Sequence, residues 1–246
     1  MRFVSLFLTL LFIVGCKEEE SRIQAVSNEP EFVISESKLD DIRPLIASAE
    51  RGDPLAQYDL GTKYKFGSGV PKDYAEAVKW FRKAAEQGHA KAQFSLGVAY
   101  YEGQGVPKDE AAAVRSYLKA AEQGHAVSQY MIGLAYENGK FVLKDHEVAA
   151  RWYRKAAAQH VAPAQYNLGA MYAEGRGVNK DFEEAYVWWD VAARGATGSK
   201  KAKEALALLT KRMTTVQITR AHARSTKLIA QEEAHWRKFE EELHER

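Results

Sequence analysis

The chain has 246 residues, of which 46% are apolar and 28% charged, and it contains one cysteine. This length fits one or two compact domains or one elongated array, and the composition argues against a disordered or fibrous protein. The formal net charge of +2 gives no reason to expect nucleic acid as a partner. A single cysteine excludes an internal disulfide framework and any metal site built from several cysteines.

The N-terminus has the pattern of an export signal. Residues 3–14 are uncharged and mainly apolar. They are too few to cross a bilayer as a helix, which takes about 20 residues, but they are typical of a signal-peptide core. Residues 13–16 (IVGC) look like a bacterial lipobox, which implies cleavage after residue 15 and lipidation of Cys16. An ordinary cleaved signal with an incidental cysteine is the alternative.

The lipobox interpretation predicts a protein of the cell envelope. Two or three acyl chains would hold it firmly at a membrane. Lys17 follows the cysteine, where an Asp would resemble an inner-membrane retention signal, so we expect the outer membrane, with the protein facing the periplasm.

Residues 16–36 carry six Glu and no helical apolar period, which predicts a disordered tether. Residues 37–52 end in AERG and match the end of a later repeated helix. They are therefore predicted to be an N-terminal capping half-repeat.

The central part of the chain repeats itself at a fixed interval of 36 residues. Four glutamines define the interval: Gln57, Gln93, Gln129 and Gln165. Tyrosines, glycines and Lys-Asp pairs at other positions repeat with the same interval. A period of this length is typical of a solenoid. The repeat units are 53–88, 89–124, 125–160 and 161–196.

Each unit contains the signals for two helices. Asp53 and Pro54 predict the start of the first helix, and Asp73 with Glu76 predicts a capping box at the start of the second. Gly88 suits the left-handed residue after the second helix, and His160 replaces the equivalent glycine in the third unit.

The pattern A-x-x-x-L-G-x-x-Y-x-x-G-x-G-V-x-x-D resembles the Sel1-like repeat, a relative of the tetratricopeptide repeat. The resemblance implies an all-α fold, a right-handed α/α superhelical solenoid of helix-turn-helix repeats with helical caps, about eleven helices in all. Three departures are local. Phe141 replaces the second loop glycine, Leu143 and Asn179 replace the loop proline, and Ser116 replaces a tryptophan of the second helix.

In tetratricopeptide-like superhelices one face of the first helices lines a concave groove. The side chains predicted to form a partner-binding groove are aromatic or vary between repeats: Tyr58, Thr62, Phe66, Phe94, Val98, Tyr101, Val127, Tyr130, Leu134 and Tyr166. Aromatic anchors are typical of protein-binding hot spots. Packing of the rings between neighbouring helices is the alternative.

Residues 197–246 are predicted to be C-terminal capping helices, with a stripe of Trp236, Phe239 and Leu243 near the end. Residues 199–227 are strongly basic. The residues considered for electrostatic docking are Lys200, Lys201, Lys203, Lys211, Arg212, Arg220 and Arg224. They form either a solvated helix face or a docking site for an acidic protein or anionic lipid.

No catalytic motif is visible, and His89 and His125 are interpreted as turn residues, so no cofactor or metal is expected. The resemblance implies a non-enzymatic scaffold for protein–protein interaction that binds a periplasmic or envelope protein, and we expect the scaffold to be a monomer. One alternative is an immunity protein that neutralises a secreted toxin, such as a periplasmic phospholipase effector. Another is a cell-wall hydrolase, an activity credited to cysteine-rich Sel1 proteins, whose cysteine pairs this chain lacks.

Overall fold

The structure, a computed structural model, describes residues 36–195 and 198–244. These residues form eleven α-helices, a short 3-10 helix and no strand, which confirms the predicted all-α solenoid. The helices are α1 (Glu36–Glu50), α2 (Pro54–Phe66), α3 (Tyr74–Glu86), α4 (Ala90–Glu102), α5 (Glu110–Glu122), α6 (Ala126–Asn138), α7 (His146–Ala157), α8 (Ala162–Glu174), α9 (Phe182–Arg194), α10 (Lys200–Leu209) and α11 (Thr215–His244). The 3-10 helix is Thr210–Arg212. The predicted signal peptide, Cys16 and residues 17–35 of the predicted tether lie outside the described residues, and Glu36, predicted as the last tether residue, begins α1.

Two helices make one repeat, and we call α2, α4, α6 and α8 the A helices and α3, α5, α7 and α9 the B helices. Asp53 and Asp73 cap α2 and α3 as their sequence positions predict, with Leu55 N donating to Asp53 Oδ1 over 3.0 Å and Ala75 N to Asp73 Oδ1 over 2.8 Å. The Glu76 half of the predicted capping box is not formed, because Asp73 N donates to the carbonyl of Tyr64 and Glu76 pairs with Lys79 instead. The aspartate caps alone therefore set these two helix starts.

Every A helix carries a glycine beneath an aromatic ring of its own B helix. The pairs are Gly61 with Phe81, Gly97 with Tyr117, Gly133 with Tyr153 and Gly169 with Trp189. A Cβ on Gly133 would lie only 2.5 Å from Cε1 of Tyr153. The two helices of a repeat can therefore approach closely only because this position has no side chain.

The regular 36-residue spacing of the glutamines reflects a buried hydrogen-bond ladder between repeats. Gln129 Nε2 donates to the carbonyl of Ala121 in the preceding B helix over 3.2 Å, and its Oε1 accepts from Gln159 Nε2 over 2.8 Å. The same two bonds occur at Gln57 and Gln93. Each amide is thus paired at both ends, as buried polar groups require.

Helices cover both ends of the array. Ile42 and Ala49 of α1 join the core of the first repeat. At the other end Ala202 of α10 and Ala221 of α11 are fully buried in a cluster with the B helix α9. Thr214 and Gln217 form the predicted capping box at the start of α11, with backbone-to-side-chain bonds in both directions.

Candidate functional site

Four of the predicted groove residues form a ladder of half-buried rings, one per A helix: Tyr58, Phe94, Tyr130 and Tyr166. Each lies against the ring of its own B helix, with centroid distances of 5.9, 5.7, 5.9 and 6.2 Å in chain order. Tyr58 and Phe94 also lie against the imidazole rings of His89 and His125 at the start of the next A helix, with centroid distances of 4.9 and 4.6 Å. These two rings therefore pack both within their repeat and against the next A helix, and each ring of the ladder keeps only part of its surface for a partner.

The remaining groove residues differ in exposure. Phe66, Tyr101 and Val127 are exposed, at 66%, 45% and 43% of their surface. Val98 and Leu134 are half buried and pack against core clusters. Thr62 donates its hydroxyl hydrogen to the carbonyl of Tyr58 over 3.0 Å.

A pocket of about 150 Å³ lies between the second and third repeats. Its walls are mainly apolar and are formed by Tyr101, Val114, Tyr117, Met131 and Leu134, while Glu110, Asn138, Lys140 and Phe141 stand around it. We call this site the junction pocket. The corresponding space between the first and second repeats, lined by Lys65, Tyr74, Val78, Phe81, Ser95 and Val98 among others, has a volume of only about 10 Å³.

The departure at Phe141 explains the difference between these two junctions. A Cβ on Gly105 would lie 2.2 Å from the carbonyl oxygen of Tyr74, and a Cβ on Gly177 would lie 2.2 Å from that of His146. At these two positions the loop therefore rests directly on the start of the preceding B helix. Phe141 carries a Cβ, which does not allow that approach to Glu110, so a pocket remains open beside it.

Phe141 also has a left-handed backbone, with φ of 60°. This conformation costs a non-glycine residue of order 1–3 kcal/mol. Strain of this kind is concentrated at functional sites, where the surrounding structure maintains it. The left-handed backbone at Phe141 thus costs free energy in the loop that borders the junction pocket.

The junction between the third and fourth repeats is filled by polar side chains instead. Glu137, which is equivalent to Tyr101, accepts a hydrogen bond from Tyr153 Oη over 2.5 Å and another from Arg176 Nη1 over 2.6 Å. The junction between consecutive repeats therefore differs along the array. It is nearly closed between the first and second repeats, an apolar pocket between the second and third, and an ion-paired network between the third and fourth.

The charges around the junction pocket suit a ligand whose apolar part enters the pocket and whose polar part stays outside it. Burial raises the pKa of Tyr117 to about 12, with smaller contributions from Glu102 and Tyr101, so its phenol stays neutral. Lys108 Nζ lies 3.0 Å from Glu110 Oε1, and this contact holds the pKa of Glu110 below its usual range. A charged pair thus stands beside an apolar cavity.

Sequence reasoning found only part of this site. Tyr101 and Leu134 line the junction pocket, and Val98 lines the small equivalent space. Val114, Tyr117, Met131 and Lys140 were missed, because single-chain periodicity marks them as ordinary helix or loop positions. The signal that would have located the pocket was the break in the repeat at Phe141.

The predicted docking residues of the basic segment are partly used within the fold. Arg220 pairs with Glu183 at 2.8 Å and Arg224 pairs with Glu184, while Arg212 lies over the ring of Phe182 at 4.8 Å. Lys200 lies 3.9 Å from Glu204 in an exposed pair. The other three, Lys201, Lys203 and Lys211, are exposed on α10 and the 3-10 helix.

His89 and His125 lie at helix starts, where Nδ1 accepts from Ala92 N over 3.2 Å and from Ser128 N over 3.3 Å. Within the described ranges no three His, Cys, Asp or Glu side chains are grouped so that they could hold a metal ion. The described helices also include none that is long and apolar enough to span a membrane. The side chains of Trp236, Phe239 and Leu243 lie outside what the structure describes.

The four repeats match a known repeat family. The Sel1 repeat matches residues 54–89, 90–125, 126–161 and 162–196, which is more than half of the chain. The chain belongs to the Sel1 repeat family. No curated protein matches it.

Two solved structures share both sequence and fold with this Sel1 repeat protein. One is a protective antigen of uropathogenic Escherichia coli strains, 36% identical over 74% of this chain and 40% of its own length, with a TM-score of 0.65. The other is a Sel1 repeat protein from Oxalobacter formigenes, 39% identical over 67% of this chain and 48% of its own, with a TM-score of 0.63. The chain thus spans less than half the length of either protein.

An immunity protein from Pseudomonas aeruginosa is also similar, at 20% identity over 85% of this chain and 80% of its own, with a TM-score of 0.43. Similarity at this level carries no argument about the partner of the present protein. The Sel1 repeats themselves make the chain a scaffold suited to protein–protein interaction.

Proposed function

We propose that this protein is a non-enzymatic scaffold that holds a partner protein on the exposed face of its A helices, with the junction pocket as the anchoring point. The observation that carries the proposal is the difference between 150 Å³ and 10 Å³ at two equivalent junctions of a regular repeat. A strained residue borders the larger space. Such a departure from an otherwise regular array favours a site over a packing feature.

The pocket indicates the chemistry of the anchor. Its walls are apolar or aromatic, and its volume suits part of one Leu, Met or Phe side chain. Hot spots in protein interfaces consist of such anchors in well-packed pockets surrounded by polar contacts. Glu110 and Lys140 supply charged groups of both signs around the cavity, which favours a partner whose anchor is flanked by polar residues.

We further propose that a lipid on Cys16 tethers the scaffold to the outer membrane, facing the periplasm. The support is the sequence at residues 13–16 and the acidic segment that follows. The partner would then be a periplasmic or envelope protein, and a secreted toxin is one protein of that kind. A toxin gene next to the gene for this protein would favour an immunity role over envelope assembly.

The non-enzymatic part of the proposal rests on the sequence, which contains no nucleophile elbow, phosphate-binding loop or zinc-protease motif. Assays of the purified protein on peptidoglycan and on a β-lactam should show no hydrolysis. Hydrolysis that a single polar substitution removes would contradict this part.

The anchoring role is tested by a photo-cross-linking residue at Tyr101, which is exposed at the pocket, and by the same residue at Val216, which is exposed on α11. We expect Tyr101 to capture a protein in living cells that Val216 does not capture. Mass spectrometry identifies that protein, and calorimetry then measures its affinity for the purified scaffold.

Phe141→Gly is the decisive variant. Glycine removes the left-handed strain, so the melting temperature should stay equal or rise, whereas closure of the loop onto Glu110 should weaken partner binding at least about tenfold. His160→Gly changes a residue of the same backbone conformation, with φ of 64°, outside the pocket, and should leave binding unchanged. Equal affinity of Phe141→Gly and the wild type would show that the pocket is not the anchor.

A further inference from the structure

The second repeat lacks a tryptophan that the other three repeats carry. Trp80, Trp152 and Trp188 occupy equivalent positions on the B helices, and the second repeat has Ser116 there. The serine hydroxyl donates to the carbonyl of Ala112 over 2.9 Å, so it is engaged with its own helix.

The tryptophans show what this position normally contains. Trp80 packs on a core cluster that includes Ala49 and Leu60, with Ile46 and Tyr64 beside it. Trp152, one repeat beyond the serine, packs on the corresponding cluster of the third repeat. Its neighbours there correspond in order to Ile46, Ala49, Leu60 and Tyr64, and they are Leu118, Ala121, Ile132 and Tyr136. The indole therefore lies across its own A helix and the preceding B helix.

In the second repeat the same walls are present and the indole is missing. Ala85, Leu96 and Tyr100, the counterparts of Ala49, Leu60 and Tyr64, line a cleft of about 310 Å³ together with Ser116. Arg82 takes the position that Ile46 of the capping helix α1 has beside Trp80. We call this space the Ser116 cleft, and it lies beside the B helices, away from the junction pocket.

The cleft also keeps the cation that accompanies the indole in the first and third repeats, whereas the fourth repeat has Val191 at that position. Lys83 Nζ lies 3.9 Å from the ring centroid of Trp80, and Lys155 Nζ lies 4.4 Å from that of Trp152. Lys119 is the equivalent lysine and lines the cleft, and among the described residues it has no indole beneath it because Ser116 takes the place of the tryptophan. A lysine above an aromatic face is attractive because of the ring quadrupole.

The charges around the cleft are mostly positive. Arg82, Arg115 and Lys119 line it, and Glu86 is the one acidic side chain among the lining residues that the structure describes. Arg115 is additionally 3.8 Å from Asp109 in an exposed pair, the kind of ion pair that contributes little. An approaching acidic group would therefore be attracted.

We propose that the Ser116 cleft is a second binding site, which takes one aromatic side chain, of tryptophan size, from an acidic segment of a partner protein. The incoming ring fills the place that Trp80 and Trp152 fill in the neighbouring repeats, beneath Lys119, and flanking Asp or Glu residues face Arg82 and Arg115. The site does not depend on the junction pocket or on the partner that binds there.

The test uses the full chain and the peptide acetyl-Glu-Trp-Glu-amide, titrated to millimolar concentration while backbone amide resonances are recorded by NMR. We expect saturable shifts at Leu96, Tyr100 and Lys119. Acetyl-Glu-Ala-Glu-amide should cause none, and acetyl-Lys-Trp-Lys-amide should bind at least about fivefold more weakly.

Ser116→Trp fills the cleft with the residue that the other repeats use, so it should raise the melting temperature and abolish the peptide shifts. Lys119→Glu, on the exposed surface, should weaken the peptide at least about fivefold without changing the fold. These two variants separate loss of the site from loss of the structure.

Several results would overturn the proposal. The first is an absence of shifts at the cleft residues at millimolar peptide, and the second is equal binding by the alanine peptide, which would indicate general charge attraction. Unchanged binding by Ser116→Trp would place the peptide elsewhere. A dimer of the free protein that Ser116→Trp dissociates would mean that a second copy of the chain, and not an acidic partner segment, occupies the cleft.

Discussion

Four glycines in the middle of the A helices show how much single residues decide in this fold. Glycine is an unfavourable helix residue, by about 1 kcal/mol relative to alanine. Here each glycine lets an aromatic ring of the B helix lie directly against the A-helix backbone. The poor helix propensity is offset by the packing that the missing side chain permits.

Gly133→Ala tests this balance because propensity and packing predict opposite signs. Propensity alone would stabilise the protein, but the new Cβ would lie 2.5 Å from the ring of Tyr153, which is fully buried and cannot move aside. We expect the free energy of unfolding in urea to fall by about 1–3 kcal/mol. A matched Lys91→Ala variant, at an exposed position of α4, should be close to neutral. A Gly133→Ala protein more stable than the wild type would refute the packing argument.

At the scale of single helices, the A helices differ at their starts, with two kinds of side-chain cap and one start that has none. Asp53 caps α2 with a carboxylate, His89 and His125 cap α4 and α6 with a neutral imidazole nitrogen, and Val161 gives α8 no side-chain cap. Burial, and secondarily the charge of Lys91, holds the pKa of His89 and of His125 below the usual range. Folding therefore favours the neutral form that can accept the capping bond.

These imidazole caps predict a pH dependence of stability. Because the pKa of His125 is lower in the folded than in the unfolded chain, the unfolded chain binds more protons. The stabilisation is complete above pH 6.5, the ordinary pKa, and is lost as the pH falls through the folded pKa. Protonation removes the acceptor and places a positive charge at a helix N-terminus.

His125→Asn keeps a side-chain acceptor and removes the titration. We expect the wild type to lose more stability than this variant between pH 7.5 and pH 5, by on the order of 1 kcal/mol, the value of one cap. Urea unfolding at several pH values measures the difference. Parallel stability curves for the two proteins would show that the imidazole does not act as a titrating cap.

At the scale of the whole molecule, repeats are joined by the glutamine ladder and closed by helices at each end. Arg194 binds Asp190 on α9 and also contacts Ser225 and Thr226 on α11, so the last repeat and the C-terminal helix form a continuous polar contact. Together with the pairs at Arg220 and Arg224, this contact uses part of the basic charge that the sequence concentrates near the C-terminus. The positive surface that remains for an acidic partner is smaller than the residue count suggests.

The proposed tether makes one prediction for the whole protein in the cell. Cys16→Ser removes the sulfur that would carry the lipid, so the protein should leave the detergent-soluble membrane fraction or keep its signal peptide. Cell fractionation and intact-mass measurement distinguish these results. A Cys16→Ser protein that still fractionates with membranes at the mature mass would contradict lipid anchoring.

Much of this architecture follows from local sequence patterns. The caps at Asp53, Asp73 and Thr214 were predicted from residues within one turn of each helix, and the solenoid was predicted from the 36-residue interval. The partner-binding residues were predicted less completely. An exposed helix face can be inferred from the helical period, whereas a cavity depends on how closely two repeats approach.

The sequence by itself determined the family, the helix boundaries and the stacking of repeats, because these depend on residues close together in the chain or at a fixed interval. Only the tertiary structure decided that Phe141 leaves a pocket open and that Ser116 leaves a cleft. The pocket arises because the Cβ of Phe141 keeps its loop away from the start of the preceding B helix. The cleft arises because Ser116 is too small to reach the side chains of the preceding repeat. In both cases the residues lie about thirty positions apart, where neither helical periodicity nor capping carries information.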